Sequence, residues 1–213
     1  MYSSGLVPLF CHKDVDVSMK VAGAIAEGGS RILEFTNRGE RSHLVFTALV
    51  ERCEKELPGL ILGAGSIIDP PTAALFIAAG AAFIVGPTLN PDVARLCNRH
   101  KIAYIPGCGS LTEISAAEEL GCEIVKVFPA GAVGGPEFIR AVRGPCPWTS
   151  LMPTSGIDLT EESVRAWMQA GSTCLGLGSK LISKDVVDRG DFPEITRRVR
   201  QILGWIRAAR GAD

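Results

Sequence analysis

The feature that most constrains the fold is a repeated succession of an amphipathic segment, a glycine and a short apolar run. It occurs in "AIAEGGSRILEF" (24–35), "FIAAGAAFIVG" (76–86), "AEELGCEIVKVF" (117–128) and "WMQAGSTCLGLG" (167–178). Glycine ends helices because it accepts the left-handed conformation that follows the last turn. The short gap suits a connection from a helix to a strand. The repeat therefore predicts that helices and strands alternate along the chain.

This pattern gives eight candidate strands, at residues 6–11, 32–36, 60–64, 83–85, 103–105, 124–127, 150–152 and 174–177. They are short and nearly all apolar, as expected when helices cover both faces of a sheet. Strict alternation with helices implies parallel strands. Eight such units predict an α/β fold of the (β/α)8 TIM barrel type, and an open doubly wound sheet is the alternative. No composition shift or long linker divides the chain, so we expect one domain over residues 1–213.

Composition narrows the class of protein. Hydrophobic residues make up 46% and charged residues 21%, which is typical of a globular chain. The net charge is −1 and there is no basic stripe, so we expect no nucleic-acid partner. No apolar run approaches the ~20 residues of a membrane span. The first residues lack the features of a signal peptide, and we therefore expect a cytoplasmic protein without a membrane partner.

The seven cysteines are odd in number, irregularly spaced and without a CxxC pair. They are interpreted as small core residues in a reduced compartment, with neither a disulfide framework nor a zinc site. The three histidines likewise form no spacing typical of metal ligands. We expect no metal.

Polar residues collect where the predicted strands end, which is where parallel barrels carry their active sites. Lys126 is notable because it lies within an apolar strand, and burying an ammonium group is costly unless it is paired or neutral. The loops after the last two strands contain glycines and lie where barrels often bind phosphate through backbone N–H groups. The candidate site residues are Glu34, Arg38, Ser66, Pro106, Gly107, Lys126, Thr154, Ser155, Gly156, Gly178 and Ser179.

Each of these residues taken alone has a structural interpretation. Lys126 could face solvent or be paired, and Glu34 could be the partner of a buried arginine. Arg38 could be a solvated loop charge, and Ser66 could cap the next helix. Glycine-rich turns such as "TSGI" and "GLGS" are common. A functional interpretation gains force only because all of these residues share one edge of one architecture.

In combination, six stretches resemble the 2-keto-3-deoxy-6-phosphogluconate (KDPG) / 4-hydroxy-2-oxoglutarate (KHG) aldolases. These stretches are "LEFTNRG", "GAGS", "IPG", "VKVFPA", "PTSGI" and "GSKL", and the resemblance runs from about Val7 to about Asp185. The family consists of class I aldolases on a (β/α)8 barrel. The resemblance implies a metal-independent aldolase without a cofactor, assembled as a homotrimer. Apolar residues such as Leu89 and Phe83 add a hint of a subunit interface, because such residues need not all fit into one small core.

The resemblance also implies roles. Lys126 matches the Schiff-base lysine and Glu34 the general acid/base. Arg38 matches the arginine that holds the carboxylate of the pyruvyl portion, with Ser66 at a threonine position that helps. The other implied substrate-binding residues are Pro106 and Gly107 in a loop lining the same site, and Thr154, Ser155, Gly156, Gly178 and Ser179 in the phosphate loops.

The residue types suit this chemistry. A lysine amine is nucleophilic only when neutral, and an apolar strand end disfavours the charged form. The resulting imine acts as an electron sink, and a glutamate moves protons to and from the substrate. A guanidinium orients a planar carboxylate through two parallel hydrogen bonds.

Six positions depart from the common family pattern, and two of them, Asn37 and Gly39, simply flank Arg38. Ser66 keeps the hydroxyl of the usual threonine but loses its methyl group, and Ser155 replaces a glycine. Cys11 stands where some relatives carry an arginine, so it lacks a phosphate-binding charge. Lys180 stands where a bulky apolar residue is frequent, and it could serve the phosphate or face solvent.

The expected reaction is cleavage of KDPG to pyruvate and glyceraldehyde 3-phosphate. Cleavage of KHG to pyruvate and glyoxylate is a second candidate, and the phosphogalactonate epimer of KDPG is an alternative substrate. A phosphosugar isomerase or epimerase is a further alternative, but it would need paired carboxylates or a metal set. A non-catalytic phosphosugar-binding barrel would keep the phosphate loops and have no use for Lys126 with Glu34.

Overall fold

The computed structural model describes residues 1–211. Its strands are β1 (Leu6–Phe10), β2 (Ile32–Thr36), β3 (Ile61–Gly65), β4 (Phe83–Val85), β5 (Ala103–Ile105), β6 (Gly107–Cys108), β7 (Val125–Val127), β8 (Leu151–Pro153) and β9 (Leu175–Leu177). Its helices are α1 (Val15–Glu27), α2 (Ser42–Glu56), α3 (Pro70–Ala78), α4 (Pro91–His100), α5 (Leu111–Glu119), α6 (Gly135–Arg143), α7 (Glu161–Gln169), α8 (Lys184–Asp188) and α9 (Phe192–Ala209). The predicted alternation is confirmed, except that β6 follows β5 directly and α9 follows α8.

Local signals explain where the helices begin and end. Side chains of Asp14, Asp69, Asn90, Ser110 and Thr160 accept hydrogen bonds from free N–H groups in the first turns of α1, α3, α4, α5 and α7. The four predicted helix-ending glycines have φ between +84° and +101°, at Gly29, Gly80, Gly121 and Gly171. Helices α1, α3, α5 and α7 are therefore each followed by a residue that tolerates the left-handed turn leading into the next strand.

The strands form parallel sheets, and the fold is a mixed α/β fold with a curled parallel sheet. The larger sheet has the order β5-β4-β3-β2-β1-β9, and the smaller one has the order β6-β7-β8. Neighbours in the chain are therefore neighbours in the sheet, and the last strand pairs with the first, with Val7 opposite Gly176. A parallel bridge from Thr154 to Gly176 and a 2.8 Å hydrogen bond from Thr173 N to Leu151 O connect the smaller sheet to β9.

The main core lies between the sheets and the helices. Phe35, Phe46 and Phe76 pack in a chain there, with ring centroids 6.0 and 5.2 Å apart. A second cluster includes Val7, Ile32, Phe83, Ile105 and Met152. The Phe83 ring occupies the space beside Gly63, where a Cβ atom would lie 2.3 Å from it.

The hint of an interface was wrong for Phe83, whereas for Leu89 it stays a prediction. Phe83 is buried, and Leu89 is partly buried against the main core. Alternation of side chains along β4 decides the placement of Phe83, and hydropathy alone does not.

Five cysteines are buried, as expected, at Cys53, Cys97, Cys108, Cys122 and Cys174. Burial raises the pKa of the Cys53 thiol to about 11 and that of the Cys174 thiol to about 12, which leaves both unreactive near neutral pH. The prediction was wrong for Cys11, which is exposed, and for Cys146, which is half-buried. Both lie in loops beyond the ends of the packed elements.

The C-terminal segment forms α9, as its pattern predicts, and residues 212 and 213 of that segment lie outside the described range. Trp205 packs against the core, again as expected. Within residues 1–211, none of the helices combines the length and apolar composition of a membrane span.

Candidate active site

A cleft of about 570 Å³ opens where β1, β2, β7, β8 and β9 end at their carboxyl edges. Five of the predicted site residues line it, namely Arg38, Thr154, Ser155, Gly178 and Ser179. Strand termini contribute apolar walls, including Phe10 and Phe128. Parallel strands all end at this edge, so residues distant in sequence meet here.

A second cavity of about 400 Å³ lies at the opposite edge, near the starts of β5 and β7. It is lined by Met1, Lys101, Ile102, Cys122 and Glu123 among others and contains none of the predicted site residues. The cleft at the carboxyl edge is therefore the candidate active site.

Lys126 lies in the middle of β7 with only 4% of its surface exposed. Its Nζ is 5.2 Å from the centroid of the Phe128 ring, which lines the cleft. In the part of the chain that the structure describes, Lys126 forms no ion pair. Both structural interpretations of this residue, a solvent-facing lysine and a paired lysine, are therefore wrong.

Glu34 lies at the centre of β2 and is fully buried. Neither carboxylate oxygen has a hydrogen-bond partner among the described residues, so the interpretation as the partner of a buried arginine is also wrong. Gly65 on β3 makes room for it, because a Cβ atom there would lie 1.9 Å from Glu34 Oε1. Thr36, two residues along the same strand, shares its face and lines the cleft.

Arg38 follows β2 and is exposed, and its Nε donates to Ser66 Oγ at 3.1 Å. Ser66 follows β3 with a φ of 60°, a left-handed backbone that carries its hydroxyl toward Arg38. It does not cap α3, because Asp69 does so through its contact with Thr72 N. The two residues, 28 positions apart in sequence, form one polar unit at the β2–β3 side of the cleft.

Pro106 and Gly107 lie behind Lys126 and are not among the residues that line the cleft. Pro106 O accepts a 2.9 Å hydrogen bond from Lys126 N, and Gly107 pairs with Lys126 across β6 and β7. Gly107 belongs to β6 and not to a loop. A Cβ atom there would lie 2.2 Å from Pro87 O, so the close backbone approach requires glycine.

The loop after β8 holds Thr154, Ser155 and Gly156. Thr154 Oγ1 is buried and has no hydrogen-bond partner within residues 1–211, while the backbone of Thr154 bridges to Gly176. Ser155 and Gly156 have φ of 76° and 78°, so the serine stands in a conformation that favours glycine and costs about 1–2 kcal/mol. Gly156 is not a lining residue; it packs against Gly131, with an added Cβ only 2.6 Å from Gly131 Cα.

The loop after β9 is tightened by its own backbone. Gly178 O accepts from Leu181 N and Ile182 N, both at 2.9 Å. Ser179, at the tip of this turn, is exposed and lines the cleft. Lys180 points elsewhere, because its Nζ pairs with Asp158 and neither residue lines the cleft.

Sequence reasoning missed several residues of the cleft wall. They include Phe10, His12, Thr36, Phe128, Lys184 and Asp188, whereas Cys11 was considered only for the arginine that it replaces. Most of them lie at or just after the end of a strand, and that position was the available signal. Within residues 1–211, no group of three His, Cys, Asp or Glu side chains is placed to hold a metal ion.

The fold and the cleft together define a class, namely parallel α/β proteins that keep a buried lysine and a buried carboxylate within strands that end at one cleft. A family model described as KDPG and KHG aldolase matches residues 1–198. The chain belongs to the KDPG and KHG aldolase family, whose members are lyases.

Individual relatives agree with this assignment. The chain is 35% identical to the 2-dehydro-3-deoxy-phosphogluconate aldolase of Pseudoalteromonas atlantica, with 95% of this chain and 92% of that protein covered. It is 32% identical to the KHG/KDPG aldolase of Escherichia coli, with 93% and 90% covered.

A solved structure of the KDPG aldolase of Legionella pneumophila, with pyruvate captured at low pH as a covalent carbinolamine intermediate, is 25% identical. It superposes with a TM-score of 0.86 over 94% of this chain and 95% of that one.

Proposed function

We propose that this protein is a class I aldolase that cleaves KDPG to pyruvate and glyceraldehyde 3-phosphate through a Schiff base on Lys126. The observation that carries the proposal is that Lys126 and Glu34 are both buried on strands that end at one cleft, Lys126 without an ion pair and Glu34 without a hydrogen-bond partner among residues 1–211. A buried charge without a partner is costly, so such a pair is retained for chemistry. Relatives named as this aldolase and the carbinolamine captured in the Legionella pneumophila enzyme support the assignment.

In the proposed reaction, the neutral Lys126 amine adds to the C2 carbonyl carbon of the substrate and gives a carbinolamine. Loss of water then forms an iminium ion. Glu34 removes the proton of the C4 hydroxyl, directly or through water, and the C3–C4 bond breaks. The bonding electrons move into the iminium and give an enamine, while the aldehyde product leaves. Glu34 returns the proton to C3, and hydrolysis releases pyruvate and regenerates the amine.

Binding of the substrate is assigned to the two ends of the cleft. Arg38, positioned by its hydrogen bond to Ser66, donates hydrogen bonds to the carboxylate next to the reacting carbonyl group. Thr154, Ser155 and the Gly178–Ser179 turn contact the distal, phosphorylated end. Pro106, Gly107 and Gly156 act through the backbone, since each packs against chain segments behind the cleft wall.

KHG is a second candidate substrate. The Escherichia coli relative is named as an aldolase for both compounds. The same Arg38 and Lys126 contacts would serve both, because the two substrates share the pyruvyl portion that forms the imine.

We further propose that the two sheets form one closed (β/α)8 barrel in a single domain. Three features of the structure support closure of the barrel. β5 continues into β6 through Pro106, β8 reaches β9 through the Thr154–Gly176 bridge, and Thr173 N donates to Leu151 O. We also propose a homotrimer, as the family resemblance implies, and a cytoplasmic location, which suits a metabolic aldolase family.

Borohydride trapping with pyruvate tests the mechanism. We expect a reduced pyruvyl adduct on the peptide that contains Lys126, identified by mass mapping. Lys126→Ala should form no adduct and lose turnover, whereas Lys180→Ala, which removes a lysine outside the cleft, should do neither. An unmodified Lys126 in folded protein would exclude the Schiff-base mechanism and favour a phosphosugar-binding function.

A further inference from the structure

The cleft extends beyond Arg38 toward strands β1 and β9, where His12 and Lys184 line it. The strand order β3-β2-β1-β9 separates the two ends. Arg38 and Ser66 belong to the β2–β3 side, whereas His12 follows β1 and Lys184 opens α8 after β9. With strands about 4.8 Å apart, one strand spacing separates β2 from β1, and two spacings separate β2 from β9. One ligand of moderate length can therefore contact both ends.

The imidazole of His12 is held in one orientation. Nδ1 of His12 lies 3.1 Å from Asp14 N, which can only donate, and 3.4 Å from Asp14 O; the shorter contact makes Nδ1 the acceptor. The neutral ring must then carry its proton on Nε2. His12 therefore presents an N–H donor on a half-buried ring that lines the cleft.

Lys184 supplies the positive charge at this end of the cleft, and Asp188 beside it supplies a negative one. Cys11, at the end of β1, lines the cleft with a neutral side chain. Lys184 and Asp188 both line it, and Lys184 Nζ donates to Asp188 Oδ2 across one helical turn. An ammonium group has three donors, so two remain for a ligand after the contact with Asp188. Among described residues, Arg38 and Lys184 are the lysine or arginine side chains of the cleft wall.

We propose that His12 and Lys184 bind the phosphate group of the substrate and supply the recognition that Cys11 does not. This inference rests on the proposed function, since it assigns two further specificity residues to the same cleft. His12 Nε2–H donates to one phosphate oxygen, and the Lys184 ammonium donates to another while keeping its contact with Asp188. The turns that carry Ser155 and Ser179 border the same end and offer hydroxyl and backbone donors.

Matched substitutions separate this role from a structural one. His12→Asn keeps an oxygen that can accept from Asp14 N, as in an Asx turn, but removes the Nε2 donor. His12→Gln extends an amide N–H₂ toward the former Nε2 position and should restore part of the function. Lys184→Gln removes the charge, and Lys180→Gln and His100→Gln remove similar side chains outside the cleft.

Steady-state kinetics with KDPG and with its unphosphorylated analogue, 2-keto-3-deoxygluconate, form the test. We expect His12→Asn and Lys184→Gln each to raise the KM for KDPG roughly tenfold, as loss of a charge-assisted hydrogen bond predicts, with kcat nearly unchanged. The KM for the unphosphorylated analogue should stay constant, and His12→Gln should recover part of the loss. An unchanged KM for KDPG, or an equal rise for both substrates, would overturn the role of the residue concerned.

Failure of the proposed function gives a different result. If wild-type protein forms no pyruvate adduct, the aldolase proposal fails, but the phosphate site can still be examined with inorganic phosphate. Titration calorimetry should then show phosphate binding to wild-type protein and to His100→Gln, and weaker binding to His12→Asn and Lys184→Gln. Equal binding by all four proteins would overturn the inference independently of catalysis.

Discussion

Glu34 owes its position to the absence of a side chain on its neighbour Gly65. The space that a Cβ atom would fill there is occupied by the carboxylate, 1.9 Å from the Cβ position. Gly63, on the same strand as Gly65, leaves space in the same way for the ring of Phe83 on β4. At the scale of the residue, small side chains on β3 therefore decide which larger groups β2 and β4 can place inside the sheet.

Gly65→Ala should displace the Glu34 carboxylate and lower kcat by about 100-fold, because a shift of about 1 Å in a catalytic group is enough for such a loss. Overpacking should also cost about 1–3 kcal/mol of stability. Turnover of KDPG measures the first effect and chemical denaturation the second.

Gly204→Ala is the matched control, since Gly204 lies in α9 and, beyond its own helix backbone, an added Cβ there would meet no atom of residues 1–211 within 4 Å. It should keep full activity and add up to about 1 kcal/mol of stability, because alanine is the better helix former. Full turnover by Gly65→Ala would contradict the assignment of Glu34 as the proton-transfer group.

At the scale of the element, α9 secures the start of the sheet. Thr196 Oγ1 donates to Ala24 O at 3.1 Å, and Val199 packs so close to Gly28 that a Cβ there would lie 2.6 Å away. Arg210, just after α9, donates to Ser3 O and Thr173 O at 3.1 and 2.6 Å. Helix α9 and the residue after it thus connect α1 with the segments that precede β1 and β9. His12 follows β1, and Lys184 opens α8 after β9.

The first turn of α9 predicts a pH dependence of stability. Hydrogen bonds from Arg197 and then Arg198 lower the pKa of Glu194 from 4.5 to about 2. A lowered pKa in the folded state means that stabilisation is present above about pH 4.5 and is lost as the pH falls toward about 2. Glu194→Gln should therefore lower stability near neutral pH by up to about 1 kcal/mol, and the difference from wild type should vanish in acid.

Thermal unfolding over a pH series measures this effect. Glu161→Gln removes an exposed i,i+4 pair with Arg165 at the start of α7 and provides the comparison, with a smaller change expected. If the stability of Glu194→Gln stayed below that of wild type by the same amount in acid, the contribution of Glu194 to stability would not be electrostatic.

At the scale of the whole molecule, the pairing of β1 with β9 brings the first and last thirds of the chain to one cleft. The surface outside the cleft carries exposed apolar side chains, including Ile68 at 58% and Trp148 at 71% of their full exposure. Isolated apolar residues are common on surfaces, but larger groups of them mark interfaces.

The proposed homotrimer makes a prediction at this scale. Sedimentation equilibrium should give three times the mass of the chain, independent of loading concentration over a wide range. A mass of one chain at all concentrations would contradict the trimer and would leave the aldolase proposal untouched, because the candidate residues all belong to the same chain.

Much of the architecture could be predicted because its signals are local. The predicted β2, β4 and β5 agree with the observed bounds, and the other predicted strands differ by one residue at one end or, for β3 and β8, at both ends. An apolar β-rich run bounded by glycine depends only on neighbours in the chain. The short strand β6 was missed because Gly107 and Cys108 have weak strand propensity, and their pairing with β7 is a long-range contact.

The sequence by itself determined the alternation of elements, the helix-ending glycines and the candidates Lys126, Glu34 and Arg38. Tertiary structure alone decided that Glu34 has no hydrogen-bond partner among the described residues, that Cys11 is exposed, and that His12 and Lys184 line the same cleft. The physical reason is that propensity, capping and hydropathy act over a few residues. Burial and proximity depend instead on which strands become neighbours, and β1 meets β9 only when the sheet has curled.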